Sequence, residues 1–160
     1  MEAAVLIPIV DRNSPSLLLT RRNDSMRRHA GQVAFPGGRI DPGDDGPIET
    51  ALREAEEEVA LFRRDVQVIG ITDVYETGTG FSVTPVVGII PPDLPLVASA
   101  KEVAAVFEVP LDWVFDPAQH VLRESEWQGR MRRYYSMNWQ GEHIWGATAA
   151  MIVNLARRLV

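Results

Sequence analysis

Three carboxylates, Glu54, Glu57 and Glu58, stand at i, i+3 and i+4 in the run Arg53-Glu54-Ala55-Glu56-Glu57-Glu58. On a helix that spacing puts all three on one face. Like charges so placed cost the helix roughly 0.2–0.5 kcal/mol per pair, so a chain that keeps three of them calls for a cation. Clustered hard oxygen ligands suit Mg²⁺ or Mn²⁺. The competing reading is a solvated acidic helix face, the usual fate of a charge run.

The element that would carry these groups is well marked. Gly46 caps a helix, and Pro47 fits its first position, where a backbone N–H is dispensable. Ile48, Ala51, Leu52, Ala55, Val59 and Leu61 form an apolar stripe near helical spacing. Arg53 can pair with Glu56 or Glu57 on the next turn, holding a carboxylate in place.

From Gly38 to Leu61 the chain resembles the Nudix box, the signature of hydrolases acting on a nucleoside diphosphate linked to another group. That pattern runs Gly, five residues, Glu, seven residues, then Arg-Glu-aliphatic-any-Glu-Glu-any-Gly-aliphatic. Here Gly38 is followed by five residues and Asp44, then eight residues and Arg53-Glu54-Ala55-Glu56-Glu57-Glu58-Val59-Ala60-Leu61. The departures are Asp44 for the first Glu, one extra residue before Arg53, and Ala60 for the last Gly. None removes a carboxylate from the acidic helix. A left-handed backbone at Ala60 would cost about 1–2 kcal/mol.

Upstream, Leu18-Leu19-Thr20-Arg21-Arg22-Asn23, Arg27, Gly31 and Phe35-Pro36-Gly37-Gly38 are similar to the second motif of the coenzyme A pyrophosphatase subfamily. Every spacing fits, and only Asn23 departs from its Ser/Ala. The subfamily commonly carries the one-residue insertion and the acidic Asp41/Asp44 stretch as well. Gly80-Phe81-Ser82-Val83-Thr84-Pro85 and Ile144-Trp145-Gly146-Ala147-Thr148-Ala149 extend the likeness over most of the chain.

The resemblance implies an α/β/α sandwich around a mixed β-sheet and cleavage of the coenzyme A pyrophosphate to 4′-phosphopantetheine and adenosine 3′,5′-bisphosphate. It implies Mg²⁺ or Mn²⁺ held by Glu54, Glu57 and Glu58 with the Gly38 carbonyl, Glu58 and Glu54 being the most direct ligands. Arg53 joins Glu57 and Glu58 in the catalytic set. For the general base the choice lies between Glu57 and Glu102, with Glu76 a weaker candidate. Arg22 and Arg27 match motif positions that would meet substrate phosphates; Arg28 and His29 read as exposed loop. Phe35 and Phe81 are candidates to line the arm or adenine pocket, and the Phe35-Pro36-Gly37-Gly38 turn would bring backbone against the metal and helix. The alternatives are hydrolysis of a nucleotide sugar or dinucleoside polyphosphate, and a module that senses a nucleotide without cutting it.

Composition bounds the rest. At 160 residues and 46% apolar content, this reads as one globular domain. A net charge of −6 argues against nonspecific binding to nucleic acid or acidic membranes. With no cysteine, neither disulfides nor thiol chemistry operate, and the cytoplasm is the expected location. No stretch is long enough to span a membrane, and Met1–Val10 has no basic region ahead of it like that of a signal peptide. His29, His120 and His143 lack zinc-ligand spacing. Trp113, Trp127, Trp139 and Trp145 show no basic neighbours that would make a base-stacking platform. Lys101 is the only lysine, which GC-rich coding explains most simply. The oligomeric state is open, a homodimer being one option.

Strands are expected over residues 3–10, 16–20, 66–76, 82–90 and 103–109, with a polar loop over 21–32. Helices are expected over 47–59, briefly at Leu111–Phe115, and over 145–159. Pro91-Pro92 and Pro95 break the chain, and 120–144 reads as a hairpin.

Overall fold

The computed structural model describes residues 1–24 and 31–159. Its centre is a mixed sheet built on β1 (Glu2–Val10). β1 runs antiparallel to β2 (Ser16–Arg22) and β4 (Gly37–Arg39) and parallel to β7 (Ser82–Ile90). Short β3 (Val33–Ala34) and long β8 (Val103–Pro110) both pair with β2. β5 (Gln67–Ile71) and β6 (Tyr75–Glu76) pair with β7. The period-2 alternation of β1 decides the layers: Ala3 and Ile7 enter one core, Ala4, Leu6 and Val10 the other.

Helix α1 (Pro47–Val59) covers the second core with Ala51, Ala55 and Val59. The opposite face is covered by α3 (Gly146–Arg158), by the short α2 (Leu111–Val114) and by a separate sheet of β9 (Val121–Trp127), β10 (Arg130–Trp139) and β11 (Glu142–Trp145). This is the expected α/β/α sandwich around a mixed sheet.

Three local expectations change. The single strand over 66–76 is two: β5, with a bulge between Val68 and Gly70, and β6, separated where the chain leaves the ladder after the Thr72 N–H donates to Pro85 O of β7 at 3.0 Å. The hairpin over 120–144 is a three-stranded meander. Its turns, Gln128-Gly129 and Gln140-Gly141, have positive φ at both residues, 50° and 75° in the first and 48° and 84° in the second. That is the backbone of tight two-residue hairpin loops, whose twist matches the flanking strands. Finally, Ile48 does not belong to the buried stripe of α1 and is 41% exposed.

The end of α1 needs the left-handed residue anticipated at Ala60, whose φ is 56° and ψ 36°. Its N–H donates to Glu56 O at 3.0 Å, and the Leu61 N–H donates to Ala55 O at 3.3 Å. Replacing Ala60 by glycine removes the Cβ penalty and is expected to stabilise the protein by about 1 kcal/mol, net of glycine's entropy in the unfolded chain. Thermal unfolding should show a Tm higher by about 2–4 °C.

Candidate active site

Helix α1 presents its carboxylates unequally. Counting in helical steps, Ala51, Ala55 and Glu58 stand at i, i+4 and i+7, so Glu58 lies on the buried seam and is only 4% exposed. Its Oε2 accepts the Gly37 N–H at 2.8 Å. Glu54, one turn earlier on the same flank, is half-buried and accepts from Arg53 Nη1 at 3.0 Å. Glu57 points outward and meets Arg53 Nη1 at 3.3 Å.

Gly37 and Gly38 are close-approach residues. They lie in β4, paired with Val5 and Ala4, and not in the turn expected from the sequence. A Cβ on Gly37 would sit 2.5 Å from Ala4 O, and one on Gly38 would sit 2.8 Å from the Glu54 carboxyl group. Only glycine lets this strand touch both β1 and the helix carboxylates.

Arg53 is the clamp of the site. Its Nε and Nη2 bind Asp44 Oδ1 and Oδ2 at 3.0 and 2.9 Å, and Nη2 lies 3.2 Å from Asp41. Asp44 also accepts the Thr50 hydroxyl at 2.8 Å and the Asp41 N–H at 2.9 Å. Its donors are thus committed to the protein's own acids, an arrangement that can orient them. Hydrogen bonds from Arg53 hold the Asp44 carboxyl far below the usual range.

Glu102 arrives from a loop strapped to the end of α1. The Val97 and Ser99 N–H groups donate to Val59 O and Glu58 O at 3.0 and 2.7 Å. The Asn23 N–H then donates to Glu102 O at 2.9 Å. Glu102 is thereby near enough to raise both Glu54 and Glu58 by charge repulsion. Burial is the larger cause, and it pushes Glu58 up to about 8; the Gly37 N–H and the Arg22 charge oppose the rise. Glu54 is likewise raised, first by burial.

The buried Glu58 and the half-buried Glu54, with a third acid nearby, form a site of raised carboxyl groups that a divalent cation would suit. The donors are all hard oxygens, which fits Mg²⁺ or Mn²⁺. Among the described residues no three acidic or histidine side chains stand together as a finished ligand set.

Arg22 ends β2 beside Val103 of β8, on the same rim. Arg27, Arg28 and His29 lie outside the described residues. Phe35 is 4% exposed within the core, so the structure assigns it packing in place of the expected pocket lining. Phe81 is partly buried with the Arg39 guanidinium 5.6 Å from its ring centre, close to the β4 strand. Glu76 is turned to the Ser82 hydroxyl. Asp44 as the partner of Arg53, itself held by the Thr50 hydroxyl, was not anticipated from the sequence, although Asp44 occupies the box's first acidic position.

A family model described as NUDIX domain matches residues 1–128. The uncharacterized Nudix hydrolase NudL of Yersinia enterocolitica is 47% identical over 157 residues, covering 98% of this chain and 80% of its own. NudL of Cronobacter sakazakii is 49% identical over 158 residues, covering 99% and 82%. Among solved structures, the NUDIX domain of Shewanella oneidensis NrtR complexed with ADP ribose superposes with a TM-score of 0.60 at 17% identity, covering 100% of this chain and 88% of that one. A C. elegans Ap4A hydrolase binary complex gives 0.59 at 20% identity, covering 69% and 80%. At such identities the solved structures establish the fold alone.

Proposed function

The chain belongs to the Nudix hydrolase family, and on that premise we propose that it is a Mg²⁺- or Mn²⁺-dependent coenzyme A pyrophosphatase. The observation that carries the reaction is the buried Glu58 and half-buried Glu54 set against the Gly37-Gly38 strand, with Glu102 near them. The substrate reading rests on the upstream motif, Leu18 to Gly38, whose Arg22 lies on the rim of the same site.

A bound divalent ion would neutralise charge on the anhydride oxygens and lower the pKa of a bound water. Glu54 and Glu58 would hold it, with the Gly38 carbonyl and Glu57 completing the proposed set. Arg22, and Arg27 by its motif position, would bind substrate phosphates through charge-assisted hydrogen bonds. Phe81 beside Arg39 offers a ring for the adenine or the pantetheine arm. Water oxygen bonds to one phosphorus of the anhydride, the bridging P–O bond breaks, and the attacking water's proton passes to a carboxylate.

Of the two candidates for that proton, Glu102 is favoured, because its loop is tied by backbone hydrogen bonds to Glu58 and Val59. Its charge acts on both Glu54 and Glu58, whereas Glu57 is exposed and bound to Arg53. Glu102→Gln is expected to lower kcat by about 10²–10⁴-fold, with KM and the metal-induced rise in Tm retained. A larger kcat loss in Glu57→Gln would assign the base to Glu57.

The substrate test is incubation with coenzyme A and Mg²⁺ or Mn²⁺, products resolved by chromatography. Adenosine 3′,5′-bisphosphate is the expected product. Cleavage of ADP-ribose, a nucleotide sugar or a dinucleoside polyphosphate in its place would move the substrate to another nucleoside diphosphate derivative. Binding without turnover of any would point to a sensing module.

A further inference from the structure

The outer meander sorts its side chains by charge. Strand alternation and the register of β9 on β10 put Glu124 and Glu126 on the face that also carries Met137 and Ile144 to the core. The other face carries Arg123, Arg130 and Arg132 and no carboxylate from any of the three strands. Arg133, on the opposite face of the same sheet, and Arg12, Arg21, Arg53, Arg63 and Arg158 elsewhere each pair with an acid. These three have no ion-pair partner among the described residues. In a chain of net charge −6 this is a local cationic surface.

Aromatic rings stand on that same face. Trp127 is 43% exposed, with the Arg132 guanidinium 5.1 Å from its ring centre. Tyr134 meets Trp145, 38% exposed, edge-on at 5.8 Å, and His143 stacks beneath Trp145 at 6.0 Å. The buried Ser136 hydroxyl shares a 2.7 Å hydrogen bond with His143, which fixes that end of the row. Trp127, of the four tryptophans, therefore does acquire a basic neighbour, because the β9–β10 hairpin folds Arg132 back onto its face, while Trp113 and Trp139 pack on each other.

We propose that this face of the β9–β11 sheet binds single-stranded nucleic acid, its rings stacking on successive bases and its arginines meeting phosphates. Cations and rings without acids complement an anionic, π-faced polymer. The row from Arg130 to Ser136 extends about 20 Å along the strand. A lone nucleotide needs a concavity, and clefts of about 340 Å³ around Val66 and Ile89 and of about 250 Å³ around Leu18 and Glu108 lie away from this face. A base in a duplex is already stacked, so single strands are the form that aromatic sheets read.

The test is fluorescence anisotropy of a fluorescein-labelled 12-nucleotide single-stranded RNA with the full chain, at rising salt. Trp127→Ala and Tyr134→Ala should each weaken binding about tenfold. The double variant Arg130→Glu/Arg132→Glu should flatten the log–log salt dependence by about one unit for each phosphate that an arginine no longer neutralises. All four side chains lie on the outer face of the hairpin, and unchanged Tm in each variant verifies the fold. No binding at low salt, equal affinity for a 12-base-pair duplex, or indifference to these substitutions would each overturn the proposal. Sedimentation as a dimer that Trp127→Ala dissociates would make a second copy the occupant and overturn it too. Coenzyme A turnover is measured alongside, so the outcome is independent of the hydrolase reading.

Discussion

Glu58→Gln is expected to lower kcat by about 10³-fold or more while leaving the metal-free protein at least as stable as the parent. The amide keeps the shape and can still accept the Gly37 N–H. What it removes is a charge that burial and the neighbouring Glu54 and Glu102 oppose when no cation is present. With a cation, that same charge supplies several kcal/mol of stabilisation, and each 1.36 kcal/mol is a decade in rate. Two measurements check this: steady-state turnover at saturating Mg²⁺, and Tm with chelator and with metal. The parent should gain Tm on adding Mg²⁺, and the variant should gain little. Full turnover in the variant would remove Glu58 from the site.

This unequal role of the acids is partly legible before folding. Gly46-Pro47 and the apolar spacing mark both ends of α1. The i, i+3, i+4 spacing marks three acids, but spacing within a charge run does not say which one turns inward. The register against Ala51 and Ala55 does say so, because Glu58 continues that seam and Glu57 falls two residues from Ala55, off it. Ile48 misleads for the converse reason. It is apolar, yet at the helix's first turn it remains 41% exposed.

Long-range placement is not legible in the same way. Glu102 reaches α1 only because backbone groups of residues 97 and 99 hydrogen-bond to the helix's last carbonyls, and backbone bonds leave no mark in side-chain pattern. The meander escapes a sequence reading because its turns use glutamine at positive φ, where asparagine, aspartate or glycine is the usual signal. The cation–aromatic face depends in turn on that hidden register. The glycine pair is recognisable from its motif, but its cause, contact with Ala4 O and Glu54, is a property of the packed strand.

Arg53 carries the second large expected effect, through the groups that it holds. Arg53→Ala should cut kcat/KM by about 10–100-fold, the usual cost of losing a partner that orients metal ligands. Arg53→Lys should recover little, since one ammonium cannot reproduce the two-pronged bond to Asp44 together with the contacts to Glu54 and Glu57. A purely structural arginine would lower Tm and leave metal affinity intact; a positioning one weakens the metal-induced rise in Tm as well. The pH dependence separates these losses further. Asp44 has a depressed folded pKa, so its pairing stabilises fully above its unfolded value of about 3.9 and fades as pH falls toward the folded one. The Tm gap between the parent and Arg53→Ala should therefore be widest near neutrality and narrow progressively below about pH 4. A gap constant through that range would mean that Asp44 is not what Arg53 stabilises, and the clamp would have to be assigned to Glu54 and Glu57 alone.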